Sequence, residues 1–273
     1  MRIDLHTHSA YSDGTDSPAG VMRSAADAGL DVVALTDHDT LAGWSEAEAE
    51  AARLGITFVP GVEISTHHRD ISVHLLAHWP RPGGELEAMM EKVRGARIDR
   101  AREIVRRVAR DFPITWEAVE ERSESAETVG RPHIADALVS AGHSRDRDAA
   151  FADILHNGSP YYIPHYAPRT VDAIRAVLAS GGVPTFAHPG AEARGRIVPT
   201  AAIEEMARAG LVGIEVAHRD HSDAQRERLA ALAGRLGLVA TGASDYHGAG
   251  KQNRIGENLT TSEAFAALEA ARG

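Results

Sequence analysis

Cysteine is absent from this 273-residue chain. Disulfides, thiolate nucleophiles and sulfur-ligated zinc are thereby excluded, and imidazole and carboxylate are left as the side chains able to ligate a metal. No apolar run approaches the ~18 residues that would cross a bilayer, so no membrane partner is expected. The opening residues, Met1-Arg2-Ile3-Asp4-Leu5-His6, lack the apolar core of a secretory signal, and the expected location is the cytoplasm. Positive charge is in deficit: 29 Lys and Arg face 39 Asp and Glu, for a net charge of −10. Such a balance disfavours an extended nucleic-acid surface, which needs Lys and Arg against the phosphate backbone. A small phosphorylated substrate is still compatible, because a local group of arginines can hold it on an acidic protein. Internal repeats and low-complexity segments are missing as well, and no pattern specifies an oligomeric state.

What the chain does have is histidine, fifteen in all, set in a βα rhythm. Residues 2–5 read as a strand, Ser17-Pro18 as an N-cap and first helical position, and 19–28 as a helix stopped by Gly29. Strand 30–35, helix 40–54 with Gly55 as stop, and strands 56–62 and 71–77 follow. A long charged helix spans 86–111, closed by Pro113. Short helices with polar joints come next, including 117–124 and 132–141. Helix 171–180, strand 183–187, helix 200–209, strand 212–216, helix 223–236, strand 238–242 and helix 262–271 restore the alternation. The expectation is one α/β barrel built from residues 1–94 and 168–273, with 95–167 as an inserted helical subdomain covering the active site.

Each expected strand is followed by metal-ligating residue types: His6 and His8, Asp37 and His38, Glu63, His74, His188, and Asp245 with His247. In a barrel of parallel strands the C-terminal ends converge on one face, which would gather these groups into one pocket. In His6-Thr7-His8 and Asp245-Tyr246-His247 the alternate residues share a side, so each pair can grip one ion. The two oxygens of Glu63 suit it to bridge two cations, and Asp13 can add a further oxygen. Any one histidine alone would more often be a surface or core residue; their joint placement is the argument. His67, His68, His78, His143 and His156 read as solvated, and His133, His165, His218 and His221 are left open.

At these same positions the chain resembles the polymerase and histidinol phosphatase (PHP) family. It has Asp-Leu-His-Thr-His-Ser at 4–9, Leu-Thr-Asp-His-Asp at 35–39, Gly-Val-Glu at 61–63, Ala-His-Pro-Gly at 187–190 and Ser-Asp-Tyr-His-Gly at 244–248. The resemblance implies a distorted (β/α)7 TIM-like barrel with two to three divalent cations, Mn2+, Fe2+ or Zn2+. It places His6, His8, Glu63 and Asp245 on the first ion, Glu63, His74 and His188 on the second, and Asp13, His38 and His247 on the third. Asp4 and Asp37 look like carboxylates that orient the imidazoles. Gly130-Arg131-Pro132-His133 and Ile214-Glu215-Val216, with His218 and His221, resemble the nucleotide-phosphatase branch. His165 in Tyr162-Ile163-Pro164-His165 departs from it, since relatives often carry Lys there.

The chemistry implied is hydrolysis of a phosphate monoester of a small metabolite, a 5′-mononucleotide or nucleoside 3′,5′-bisphosphate. A hydroxide bridging the ions that share Glu63 would attack phosphorus in line, with Asp245 completing the catalytic metal site. Arg131 would clamp phosphate, His133, Arg194, Arg196 and His218 are further substrate contacts, and His221 or His165 could protonate the leaving oxygen. Rival readings are an exoribonuclease on short RNA, a histidinol-phosphate phosphatase, an amidohydrolase-type C–N hydrolase, and a noncatalytic module. The last would have lost some of the nine ligand types, all of which are present.

Overall fold

A computed structural model describes residues 1–122, 129–164 and 166–273. Its first elements are β1 (Ile3–Asp4), α1 (Pro18–Asp27), β2 (Val32–Leu35) and α2 (Trp44–Leu54). The Ser17 side chain caps α1 by accepting from Gly20 N, with Pro18 in the first turn, as the sequence implies. Helix α2 starts four residues later than expected. Asp39 sits at φ 55° and Thr40 Oγ1 takes the Ala42 N–H, so this stretch is a turn that hands over to the helix at Trp44. Gly55 ends α2 in the left-handed region at φ 72°, where a side chain would be strained.

β3 (Thr57–His68) and β4 (Ile71–His78) form a long antiparallel hairpin, paired from Gly61↔His78 to His68↔Ile71. Then come α3 (Gly84–Val108), α4 (Trp116–Arg122), α5 (Arg131–Ser140), α6 (Arg147–Asp153), α7 (Thr170–Ala179), β5 (Val183–Phe186), α8 (Thr200–Arg208), β6 (Gly213–Ala217), α9 (Asp223–Leu236), β7 (Val239–Gly242) and α10 (Ser262–Ala270). The seven strands make one sheet in chain order. A parallel bridge between Thr7 and Tyr246 brings its two edges together, so the sheet is a nearly closed barrel.

The strands are not all parallel. β4 runs antiparallel to both β3 and β5, while the other neighbouring pairs are parallel. His74 lies within β4, inside the expected strand 71–77, and because β4 is reversed it is the first half of this strand that reaches the rim. Glu63 is likewise inside β3, which continues six residues beyond the expected end at Val62.

The barrel core is aliphatic: Val62, Ile64, Leu75, Phe186 and Ile214 pack under Met90, Ile174 and Met206 from the helices. At roughly 1.5–3 kcal/mol for each fully buried large apolar side chain, this packing is the main stabilising term. A second cluster, with Ile104, Val108, Val119, Ile134, Leu138 and Leu155, draws its buried members from residues 101–155 alone. Helix α3 belongs to both cores, Met90 packing on the barrel and Ile104 on the smaller cluster. The boundary expected near residue 95 therefore falls inside a continuous helix. The expected helix 117–124 is seen over Trp116–Arg122, its last two residues lying outside the described ones.

Candidate metal and substrate site

The C-terminal rim of the barrel gathers all nine expected ligands. His6 and His8 follow β1, and their Nε2 atoms lie 3.0 Å apart. Glu63 Oε2 is 3.1 Å from the first and 3.0 Å from the second, and Asp245 Oδ1 is 3.3 Å from each. All four side chains are buried. A second corner joins His8, Asp13, His38 and His247, with His247 Nε2 3.1 Å from Asp13 Oδ1. A third joins His38, Glu63 and His74, with His74 Nδ1 2.8 Å from Glu63 Oε1. His188 Nε2 approaches the same oxygen at 3.1 Å. Glu63 thus faces every corner but that of Asp13, as expected for a bridging carboxylate.

The protons behind the rings decide what this arrangement can hold. His6 Nδ1 donates to Glu215 Oε1 at 2.9 Å, which leaves its Nε2 with a lone pair. His8 Nδ1 faces Ser12 Oγ at 3.4 Å, and that hydroxyl itself donates to Asp37 Oδ1, so the Nε2 of His8 also presents a lone pair. His247 Nδ1 donates to the Asp245 carbonyl at 2.8 Å, with the same result. In their neutral forms His6 and His8 therefore turn lone pairs towards two carboxylate oxygens; with no cation between them, Glu63, Glu215 and Asp245 outweigh burial and favour a protonated His6 ring. Asp13 Oδ1, Asp245 Oδ1, His38 Nδ1 and His247 Nε2 are buried without a hydrogen-bond partner. A cation satisfies such a convergence, and an all-N/O donor set fits hard or borderline divalent ions.

Burial raises the pKa of Glu63, but the imidazoles of His6, His38 and His74 outweigh it and hold the carboxyl well below its usual range. Asp245 is lowered despite burial by Lys251, Arg194, His247 and His6. Burial with the charges of Lys251 and His8 lowers His247 to about 4, and burial with Arg194 lowers His188 to about 3. His8 goes the other way, raised to about 9 because Asp245 and Glu63 outweigh its desolvation.

Facing the cluster is a cavity of about 750 Å³, lined by Asp13, His38, His74 and His188, by Arg194 and Arg196 from the loop after His188, and by Arg97, Arg100 and Arg131 with Phe151 and Tyr162 from the helical segment. Arg131 Nη1 donates to Leu155 O and Asn157 Oδ1, both at 2.8 Å, and the guanidinium lies 5.5 Å from the Phe151 ring. Arg97 pairs with Asp39 at 3.1 Å and also donates to Ser65 Oγ. Arg100 donates to Ile163 O at 2.5 Å and covers the Tyr162 ring at 5.5 Å. Burial and the neighbouring Arg131 push Arg100 down to about 10. Among the described residues, no carboxylate pairs with Arg100 or Arg131. Arg97 and Arg100 escaped the sequence reading, although Arg94, Arg97 and Arg100 recur at the three-residue spacing that places side chains on one helix face.

The other expected substrate and proton-transfer residues are placed as follows. Arg194 binds Asp220 at 2.7 Å and Asp245 Oδ2 at 2.6 Å, and Arg196 is largely exposed and pairs with Asp70. His218 is buried with its Nδ1 accepting from Asp220 N and its Nε2 3.8 Å from Asp245 Oδ2. His133 is buried at the start of α5, its Nδ1 accepting from Gly130 N. His221 has both ring nitrogens committed to backbone: Nδ1 donates to Val216 O at 2.9 Å and Nε2 accepts from Gly190 N at 3.0 Å. That geometry ties the His188 turn to the loop after β6 and removes the reason for a proton-transfer role. His165 lies outside the described residues.

Three further expectations change. His78 is buried, not solvated, with Nε2 donating to Leu5 O at 3.0 Å. Asp4 holds backbone N–H groups of His6, Ser244 and Gly256 instead of an imidazole. Asp37 reaches His8 only through Ser12, and the carboxylate directly behind an imidazole is Glu215. Arg147 is another unforeseen support, bidentate to Asp136 at 2.9 and 2.6 Å while donating to Asp13 O at 3.3 Å.

Fold and site together define a metal-dependent hydrolase of the α/β-barrel type. A model of the PHP domain matches residues 4–81. A 3′,5′-nucleoside bisphosphate phosphatase from Chromobacterium violaceum is 35% identical over 92% of this chain and 89% of its own length. A phosphoribosyl 1,2-cyclic phosphate 1,2-diphosphodiesterase from Eggerthella lenta is 33% identical, covering 91% and 95%. A Bifidobacterium adolescentis structure described as a metal-dependent phosphoesterase superposes with a TM-score of 0.96 at 42% identity, over 99% of this chain and 96% of that one. The chain belongs to the PHP family of metal-dependent phosphoesterases.

Proposed function

We propose that this protein removes phosphate from a nucleotide, a nucleoside 3′,5′-bisphosphate before a 5′-mononucleotide, using two to three divalent cations held by the nine rim residues. His6, His8, Glu63 and Asp245 hold the first, Glu63 with His38, His74 and His188 a second, and Asp13, His38 and His247 a third; Mn2+, Fe2+ and Zn2+ all suit these donors. Cations held there activate water and neutralise charge on the phosphoryl oxygens. The protein's own part is positional. Glu63 and Asp245 fix the donors, Arg194 restrains the outer oxygen of Asp245, and the arginines of the opposite wall orient the ester.

The observation that carries the reading is the group Arg97, Arg100 and Arg131 across the cavity from the histidines. Two of these three guanidiniums pair with no carboxylate among the described residues, and a buried positive charge held against burial and a like neighbour calls for an anion. A substrate with one phosphate at the metals and a second on the arginines answers both halves of the cavity. Carbonyl hydrolysis of the amidohydrolase type needs no such wall, which is why that reading is second.

The test is a screen for phosphate release by Mn2+-loaded protein, with nucleoside 3′,5′-bisphosphates, 5′-mononucleotides, histidinol phosphate and short oligoribonucleotides. The bisphosphate is expected to give the highest kcat/KM, and Arg131→Met to raise its KM more than that of a mononucleotide. Hydrolysis of amides with no phosphate released from any ester would overturn the proposal.

A further inference from the structure

Glu215 lies on β6, fully buried, next to a register shift that falls between Glu215 and Ala217. Its two oxygens serve two different ligand histidines. Oε1 accepts from His6 Nδ1 at 2.9 Å, and Oε2 accepts from the backbone N–H of His188 at 2.6 Å. The first contact fixes the tautomer of His6. The second holds His188 at φ 31°, a left-handed conformation unfavourable for a residue with a side chain. The two rings stack with centroids 5.8 Å apart and planes inclined by 24°, so one carboxylate holds the ring of His6 and the backbone that carries the ring of His188. His6 points from there to Glu63 Oε2 and His188 to Glu63 Oε1.

We propose that Glu215 is the positioning residue of the metal centre, coupling the ring of His6 and the backbone of His188 through a single carboxylate so that the Nε2 atoms of both face the two oxygens of Glu63. The inference rests on the metal reading above. A carboxylate is required because it alone offers two acceptors to two donors. Glutamine accepts at one end and sets N–H against N–H at the other. Aspartate keeps the charge but is one methylene too short to reach from β6 to both β1 and the β5 turn.

The experiment is calorimetric titration of metal-depleted wild type, Glu215→Gln and Glu215→Asp with Mn2+, alongside proton NMR of the metal-free proteins. Wild type is expected to show a far-downfield His6 ring proton that is absent from Glu215→Gln, in a spectrum that is otherwise folded. Orienting carboxylates behind ligand histidines typically account for about 10- to 100-fold in metal affinity. That loss is expected in both variants for the cation bound between His6, His8, Glu63 and Asp245, while the Asp13–His38–His247 corner retains its affinity. Equal affinity in wild type and Glu215→Gln would overturn this inference alone, as would full affinity in Glu215→Asp or a uniform loss at every corner. Wild type that takes up no Mn2+ would overturn the metal reading and this inference with it.

Discussion

Replacing Arg100 with methionine should make the protein more stable and less active. In the folded chain burial and Arg131 lower the Arg100 pKa from 12.5 to about 10. At 1.36 kcal/mol per pKa unit, keeping the charge in place costs about 3 kcal/mol at pH 7. The sign follows from the direction: a base whose pKa is depressed by folding destabilises the fold wherever it is charged, and the penalty fades only as pH rises through 10. Methionine removes that penalty and forfeits one hydrogen bond to Ile163 O, about 1 kcal/mol, and the contact with Tyr162, about 0.5–1 kcal/mol. The net is a gain of about 1–2 kcal/mol, read as a rise of a few degrees in Tm for a chain of this size. Binding moves the other way. A charge-assisted bond to phosphate is worth about 1.5–3 kcal/mol, so kcat/KM for the bisphosphate should fall about 10- to 150-fold, mostly through KM. Thermal denaturation and steady-state phosphate release measure the two halves. A variant that is less stable and fully active would refute the reasoning, because Arg100 would then be a structural strut.

Other perturbations follow from the same geometry. Burial lowers His78 to about 4 from 6.5, so its contribution is complete above pH 6.5 and lost as pH falls towards 4, by up to about 3 kcal/mol. Urea unfolding from pH 7 to 5 should show wild type losing stability relative to His78→Gln, which keeps a donor for Leu5 O but cannot titrate; parallel curves would count against it. Gly61→Ala places a Cβ 2.7 Å from Thr36 Cγ2 at the β2–β3 approach, and overpacking of this kind costs about 1–3 kcal/mol, seen as a lower urea midpoint at unchanged slope. His221→Ala should lose about 1–3 kcal/mol of stability through two orphaned backbone groups while leaving the shape of the pH–rate profile intact. A missing alkaline or acid limb would restore its proton-transfer role.

Much of this was legible in the sequence because the signals are local. Short apolar runs bounded by Gly and capped helices give the βα order, and histidines at alternate positions after such runs give the rim. Direction is not local. Periodicity reads the same both ways along a strand, so strand 71–77 with His74 in it was legible while the reversal of β4 was not. Nor does spacing show what lies behind a ligand. Glu215 sits in an apolar strand pattern and becomes meaningful only when β6 is brought under β1. Arg97 and Arg100 are hidden in a helix rich in charge, most of it solvated, and only the packing of α3 over the rim turns two of its arginines inward. His78 read as solvated because its partner, the Leu5 carbonyl, comes from a strand 73 residues earlier.

The central claim is that nine nitrogen and oxygen donors surround divalent cations, and anomalous diffraction from crystals grown with Mn2+ tests it most directly. The account requires two or three peaks, the first among His6, His8, Glu63 and Asp245 and another beside Asp13, His38 and His247. Featureless anomalous density at those positions, from protein fully exposed to the ion, would contradict it.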